Sequence, residues 1–179
     1  MAKTEIITLG AGCFWCIEAV FNRLEGVHAV RSGFSGGHVI NPSYREVCGK
    51  KTGHAEVVEI EFDPEIIKIA EVFEIFWSMH DPTTINRQGN DIGPHYRSVI
   101  FYHNENQRKI AEEYKVALNN SGVFNNPIVT EITKWINFFP AENYHQDYFE
   151  LNGTEPYCQF VVRPKIEKFE KNFSNKLRD

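Results

Sequence analysis

The sequence lacks any apolar run near the roughly 20 residues of a membrane-spanning helix, and its N-terminal MAKTEIITLGAG has no long signal-peptide core. It also lacks a basic stripe, since its 19 Lys and Arg are scattered among 24 Asp and Glu, for a net charge of −5. Sequence-independent binding to nucleic acid requires concentrated positive charge. We therefore expect a cytoplasmic protein that binds neither membranes nor nucleic acid.

Cysteine is scarce: the chain has four, Cys13, Cys16, Cys48 and Cys158. In a reducing compartment such residues are catalytic, metal-binding or buried more often than they form a disulfide scaffold. A zinc site at the CxxC pair would need two further ligands, and the sequence has neither a second CxxC nor two closely spaced histidines. We expect no metal ion and no cofactor.

The sequence has no repeats, no low-complexity tract and no linker. With 179 residues, 42% of them hydrophobic, it is long enough for one substantial core and too short to suggest two. We expect one domain spanning residues 1–179, and a monomer.

Hydrophobic periodicity predicts a strand at about 4–9, a helix from near Cys13 to before Gly26, and a strand at about 27–34. A second unit follows, with a strand in HAEVVEIEF, a helix in PEIIKIAEVFEIFWSM and a strand in RSVIFY. This order predicts an α/β (α+β) fold, a two-layer ferredoxin-like split βαβ plait with a mainly antiparallel mixed sheet.

Three further elements are predicted beyond this plait: a helix at about 105–119, a strand at 128–133 and an extra C-terminal helix after Pro164. The segment HVINPSYREVCGKKTG has turn residues and no sustained period, so we expect a long functional loop there.

Cys13 and Cys16 lie where the first strand gives way to the first helix. Unpaired N–H groups at a helix N-terminus favour an anion, so a lowered pKa is expected for Cys13. Residues three apart on a helix are close enough to be bridged by a disulfide. The alternative is that both are small buried apolar residues.

Glu56 lies on the strand HAEVVEIEF, where a period of two puts it on one face with Val58, Ile60 and Phe62. A carboxyl among large apolar side chains is desolvated, so its pKa rises and it can act as an acid. Alternatively it reaches water or pairs with a nearby lysine. Glu59 and Glu61, on the opposite face, are expected to be solvated.

Tyr44 and Tyr96 each lie beside an arginine in a polar loop that leads into a strand. A phenol donates a hydrogen bond without ionising at neutral pH, which suits the binding of a neutral polar oxygen. The alternative is that both cap the core. Asp91, in the second loop, is equally consistent with a turn former.

The segments GCFWC, TGHAEVV and NRQGNDIGPHYRS closely resemble the peptide methionine sulfoxide reductase A family. GFSGG, NPSYREVC, YHQDYF and YCQFVVRPK resemble it in the same order, over nearly the whole chain. The resemblance implies reduction of the S epimer of methionine sulfoxide, free or in proteins, with thioredoxin as the reductant. It also implies a mixed α/β plait.

The same resemblance makes Cys13 the nucleophile that attacks the sulfoxide sulfur and becomes a sulfenic acid when methionine leaves. Phe14 and Trp15 match the hydrophobic pocket for the methyl group on that sulfur. Both residues flank the thiol in sequence, as such a pocket requires.

For the sulfoxide oxygen, the resemblance makes Glu56 the acid that protonates it and Tyr44 and Tyr96 the phenols that hold it. Asp91 matches the acidic residue of the same polar loop. Thiolate attack on a sulfoxide is unfavourable unless the oxygen gains a proton, so neutral donors are what the chemistry needs.

The sequence departs from the family pattern at Cys16, where many members have glycine, and at His95, where glutamine is frequent. The last cysteine, Cys158, precedes a regular segment rather than a flexible tail. We predict that Cys16 resolves the sulfenic acid, with Cys158 as the alternative, and that Cys48 only packs. Competing functions are a thioredoxin-type dithiol oxidoreductase and a non-enzymatic CxxC redox sensor.

Overall fold

A computed structural model describes residues 3–178 of the chain. The strands are β1 (Glu5–Ala11), β2 (Val27–Ser35), β3 (Ala55–Phe62), β4 (Arg87–Gln88), β5 (Asp91–Ile92), β6 (Ser98–Tyr102), β7 (Glu131–Lys134) and β8 (Phe139–Pro140). The α-helices are α1 (Phe14–Phe21), α2 (Tyr44–Cys48), α3 (Ile69–Ser78), α4 (Glu105–Asn120), α5 (Tyr148–Asn152) and α6 (Arg163–Asn172). A π-helical turn at Cys158–Val162 leads into α6.

The main sheet has the order β7-β6-β1-β3-β2-β8. Its four inner strands, β6-β1-β3-β2, pair antiparallel and follow the order of a ferredoxin-like plait. The outer strand β7 joins parallel to β6 after the crossover helix α4. The mixed, mainly antiparallel plait predicted from the sequence is therefore confirmed.

The helix α1 is buried on nearly every side. Seven of its eight residues are buried, because the sheet covers one side while α5 and α6 pack against it from elsewhere. Phe14, Ile17 and Phe21 of this helix share the main core with Val58 and Ile60 of β3. The helix that carries the CxxC pair is therefore held firmly against the central strands.

The opposite face of β3 is covered as well. Trp135 and Phe138, from the segment between β7 and β8, pack over a small apolar cluster of Ala55, Val57, Val99 and Phe101. Glu59 on this face is only 6% exposed and forms an ion pair with Arg31. The expectation of a solvated Glu59 is wrong, because strand alternation does not reveal that a distant segment covers this face. Glu61, on the same face, is partly exposed.

The segment HVINPSYREVCGKKTG, expected to be a long loop, contains the short helix α2. Ser43 caps it: its hydroxyl accepts a hydrogen bond from the Glu46 N–H at 3.1 Å, while the Glu46 carboxylate accepts one from the Ser43 N–H at 3.0 Å. The predicted loop is therefore interrupted by one capped helical turn, which is too short to show a helical period, and the rest of the segment is irregular.

Two other boundaries differ from the sequence prediction. The strand expected at 128–133 pairs only over β7, Glu131–Lys134. The third helix begins at Ile69, so Ile66 precedes it and is 52% exposed. No described helix has the combined length and apolarity needed to cross a membrane.

Candidate active site

Cys13 lies at the junction between β1 and α1, as the residue that precedes the first helical turn. Gly12 makes the bend with a φ of +88°, a conformation that L side chains rarely adopt. A Cβ at this glycine would also lie 2.8 Å from the Gln88 side chain. The sequence GAG is therefore needed to turn the chain and aim Cys13 into the site.

The thiols of Cys13 and Cys16 are both buried and lie close enough for each to shift the pKa of the other. Burial is the main reason that the pKa of Cys13 is raised well above its usual value, and the Cys16 sulfur and Glu56 raise it further. The neighbouring Cys13 thiol lowers the pKa of Cys16. The predicted lowering at Cys13 is wrong, because desolvation outweighs the helix terminus, and Cys13 is neutral before substrate arrives.

Glu56 lies on β3, next to β1, the strand that leads to Cys13, and is 1% exposed. Its Oε1 accepts a hydrogen bond from the Phe14 N–H at 3.2 Å, whereas its buried Oε2 has no partner within residues 3–178. Burial raises the pKa of Glu56 to about 8, and the nearby Asp91 adds to this. The carboxyl is therefore mostly protonated at neutral pH, and one of its oxygens is left without a partner.

Tyr44 and Tyr96 flank this carboxyl from two different segments. Tyr44 begins α2, and Tyr96 ends a short 3₁₀ turn at Pro94–Tyr96. Burial, with the nearby charge of Glu56, raises the pKa of both phenols. Both remain neutral hydrogen-bond donors, which is the state that a neutral oxygen requires.

Asp91 lies on the small β4–β5 hairpin, where it pairs with Gln88. Its Oδ2 accepts a hydrogen bond from the Tyr157 hydroxyl at 2.8 Å. Tyr157 in turn meets the edge of the Trp15 ring, with centroids 5.7 Å apart. Asp91 is thus linked to Trp15 through Tyr157, and its charge also raises the pKa of Glu56.

Phe14 and Trp15 belong to one aromatic cluster beside the thiol. Phe14 is fully buried, with its ring centroid 6.1 Å from that of Tyr44. Trp15 is partly exposed and stacks on Tyr148, with centroids 3.8 Å apart and planes within 8°. Its indole N–H donates to His145 Nδ1 at 3.1 Å. This arrangement forms an apolar wall with an accessible edge at Trp15.

His145, Tyr148 and Tyr157 were not singled out by the sequence analysis. His145 is 1% exposed, lies 4.3 Å from the Tyr44 ring and has an Nε2 without a hydrogen-bond partner in the described part of the chain. These three residues lie in YHQDYF and YCQFVVRPK, two of the segments that resemble the family, so the resemblance already pointed to this part of the chain. Their position beside Trp15 depends on tertiary packing, which the residue pattern alone does not provide.

The remaining cysteines differ in their surroundings. Cys158 is fully buried at the start of the π-helical turn, and burial raises its pKa. Cys48 ends α2 and is partly exposed; burial raises its pKa, and the neighbouring Tyr44 side chain partly offsets that rise. One potential ligand atom each from Cys48, Glu56 and His95 lie within 4.8 Å of one another, so these three residues could hold a metal ion. Cys48 thus lies beside Glu56 and His95 rather than in either apolar core cluster.

The chain is similar to known proteins over nearly its whole length. The family described as "Peptide methionine sulfoxide reductase" matches residues 5–177. A peptide methionine sulfoxide reductase MsrA of Saccharolobus solfataricus is 52% identical, over 97% of each chain. The reduced form of Mxr1 from Saccharomyces cerevisiae superposes with a TM-score of 0.80 at 34% identity, covering 87% of this chain and 90% of that one. Mxr1 has also been solved in complex with Trx2, with a TM-score of 0.56, 24% identity and coverage of 82% and 85%.

Proposed function

Because the chain belongs to the peptide methionine sulfoxide reductase family, we propose that Cys13 is the thiol with which it attacks its substrate. The reaction is the reduction of the S epimer of methionine sulfoxide, free or in proteins, to methionine. One observation carries the assignment of Cys13: the residue after it binds Glu56, a neutral buried carboxyl with one unpartnered oxygen within residues 3–178. A nucleophile and an acid are thereby held side by side.

In the first step the Cys13 sulfur attacks the sulfoxide sulfur while Glu56 gives its proton to the sulfoxide oxygen. Tyr44 and Tyr96 donate hydrogen bonds to that oxygen and stabilise the charge that develops on it. The oxygen is then transferred from the substrate sulfur to the Cys13 sulfur: the substrate S–O bond and the transient S–S bond break, a new S–O bond forms on Cys13, methionine leaves, and Cys13 is a sulfenic acid. Overall, the thiol and the sulfoxide are converted to a sulfenic acid and a thioether, with no net change in protons.

The Cys13 proton must leave before attack, since burial keeps this thiol neutral. Cys16 does not favour the transfer of this proton, because the pKa of Cys16 is lowered whereas that of Cys13 is raised. Phe14 and the Trp15 ring would hold the substrate methyl group, since both are apolar and Trp15 is accessible from solvent. Asp91 would act indirectly, by orienting Tyr157 against this wall.

Replacement of the nucleophile is the direct test of this assignment. We predict that Cys13→Ser abolishes methionine formation from the S epimer with dithiothreitol as reductant, because a hydroxyl supplies no thiolate at neutral pH. Methionine release is measured by chromatography, and circular dichroism checks that the variant is folded. Turnover by a folded Cys13→Ser protein would overturn the assignment.

We propose that Cys16 resolves the sulfenic acid. Its thiolate attacks the Cys13 sulfur, a disulfide forms, and the hydroxyl leaves as water after taking up a proton. The two thiols lie at the start of the same helix, close enough to shift each other's pKa, so little movement is needed. Cys158 is the alternative, but it is fully buried and would need the π-helical turn to move.

A matched pair of variants tests this role. In Cys16→Ser, the first turnover should still release one equivalent of methionine, whereas thioredoxin-supported cycling should collapse and dimedone should label Cys13. Cys158→Ser should cycle normally. The opposite pattern, with normal cycling in Cys16→Ser and dimedone labelling in Cys158→Ser, would move the role to Cys158.

Thioredoxin is proposed as the dithiol that reduces this disulfide, supported by the solved complex of the related Mxr1 with Trx2. A reducing compartment such as the cytoplasm suits a chain whose four cysteines are free thiols. We further propose that the chain is monomeric and acts as one domain. A general dithiol oxidoreductase or a redox sensor would leave Glu56, Tyr44 and Tyr96 without a role.

A further inference from the structure

Three segments that are far apart in sequence bring a thiol, a carboxyl and an imidazole together beside the sulfoxide-binding tyrosines. Cys48 ends α2, Glu56 lies on β3 and His95 lies in the 3₁₀ turn. We propose that these residues bind a zinc-type divalent cation, and that the bound ion stops the reductase. The binding follows from the side-chain arrangement, whereas the inhibition rests on the function proposed above for Glu56.

The distances fit a small cation. One ligand atom from each residue lies within 4.8 Å of the other two. Zinc bonds of about 2.0 Å to nitrogen or oxygen and about 2.3 Å to sulfur put tetrahedral ligand atoms about 3.5 Å apart. Small side-chain rotations would therefore bring the three ligands to bonding distance, without a backbone change.

Two of the three side chains have unsatisfied polar atoms. Glu56 is 1% exposed with Oε2 unpartnered, and His95 is 3% exposed with Nδ1 unpartnered, among the residues that the structure describes. Buried polar groups nearly always have a partner, so two unpartnered atoms in one cluster are available to bind a ligand. The sulfoxide oxygen accounts for Glu56 but not for His95.

The donor set selects the kind of metal ion. One sulfur, one nitrogen and one oxygen suit zinc or a similar transition-metal cation, whereas magnesium and calcium prefer oxygen alone. Three protein ligands leave the fourth position for water. Cys48 is partly exposed, which gives the ion a route from solvent into the cluster.

Bound there, the ion would hold the Glu56 carboxylate as a ligand. The proton that this carboxyl gives to the sulfoxide oxygen would be gone, and the cation would stand in the space between the two tyrosines. The Cys13–Cys16 thiols would stay free, so inhibition through this site differs from direct capture of the nucleophile.

Binding is tested separately from activity. In a Cys13→Ser, Cys16→Ser background, Co²⁺ serves as a spectroscopic probe and Zn²⁺ is titrated against a chromophoric chelator. We expect one equivalent of Co²⁺ with a single-thiolate charge-transfer band, and a loss of at least tenfold in zinc affinity in His95→Gln and in Cys48→Ala. His28→Gln, at an exposed histidine, is the matched control. Unchanged affinity in both folded variants would overturn the site.

Inhibition is tested in a single turnover without added dithiol, which would itself bind the metal. Micromolar Zn²⁺ should slow methionine release at least tenfold in the wild type, and His95→Gln should release methionine at the normal rate with or without zinc. Equal inhibition of His95→Gln would overturn the proposal in favour of the Cys13–Cys16 pair. Absence of methionine without zinc would instead refute the proposed reductase function, and the Co²⁺ spectrum would still decide the metal site.

Discussion

Two buried glutamates, Glu18 on α1 and Glu56 on β3, have similar burial and different surroundings. Glu18 is 2% exposed and Glu56 is 1% exposed, and burial raises the pKa of the first to about 7 and of the second to about 8. Glu18 accepts a hydrogen bond from the Ser32 hydroxyl at 3.0 Å, and this hydroxyl and the nearby backbone of Asp147 and Tyr148 partly offset the effect of burial on its pKa. Glu56 has one backbone N–H and one unpartnered oxygen within residues 3–178.

The comparison separates burial from reactivity. Both carboxyls have a perturbed pKa, yet the hydrogen bond of Glu18 to Ser32 ties α1 to β2, which is a structural task. Of the two, only Glu56 has a buried oxygen without a partner among residues 3–178, and only Glu56 binds the residue next to Cys13. A perturbed pKa therefore identifies a candidate catalytic carboxyl, and the oxygen without a hydrogen-bond partner distinguishes the catalytic one, Glu56, from the structural one, Glu18.

The largest effect that separates the two is expected on catalysis. Glu56→Gln should slow the methionine-releasing step by roughly 10²-fold or more, because the amide keeps the shape but supplies no acidic proton. Rapid-quench single turnovers measure it. Glu18→Gln is the matched control, with the same chemical change at equal burial, and should retain the wild-type rate. Equal losses in the two variants would mean that both carboxyls act only through structure.

A smaller effect is expected in the pH dependence of the same step. Glu56 must be protonated to act, so its contribution is present below about pH 8, where its pKa lies, and is lost as the pH rises through that value. The ratio of wild-type to Glu56→Gln rates should fall by about tenfold per pH unit above pH 8. Taking the ratio cancels the titration of groups that residue 56 does not affect, and the pKa of Cys13, which Glu56 raises, is measured separately in each protein. A constant ratio between pH 6 and 9.5 would contradict the role of an acid.

The smallest effect concerns stability and belongs to Glu18. Its folded pKa of about 7 lies above the usual 4.5, so its contribution is fully present below about pH 4.5 and is lost as the pH rises through about 7. Glu18→Gln cannot ionise and escapes that loss. The Tm of the variant relative to wild type should therefore rise between pH 4.5 and 8.5, by on the order of a few degrees. A Tm difference that does not change with pH would show that Glu18 is solvated or stays neutral.

Strand alternation predicted the burial of Glu56, because a period of two assigns faces without knowledge of the fold. The same rule failed at Glu59, where the cover comes from a segment about 80 residues later in the chain. The pKa of Cys13 was misjudged for a related reason. A helix terminus is a local feature that sequence reveals, whereas desolvation depends on everything packed around the thiol.

The grouping of Cys48 with Glu56 and His95 could not be predicted from spacing. Metal-binding motifs in sequence rely on ligands that are close together along the chain, and these three come from separate elements. The segment order nevertheless predicted the plait, since the four inner strands and two of the helices follow one another with clear periods.

The central position of β1 and β3 has a consequence for motion on slow timescales. Strands flanked on both sides exchange their amide hydrogens with deuterium only through openings that disrupt the sheet, whereas a five-residue helix such as α2 opens locally at lower cost. Cys13 and Glu56 are attached to the slowly exchanging strands β1 and β3, whereas Tyr44 and Cys48 lie on α2, which opens more easily. Local opening of α2 to admit a bulky oxidised peptide can thus displace Tyr44 while the distance between Cys13 and Glu56 is preserved.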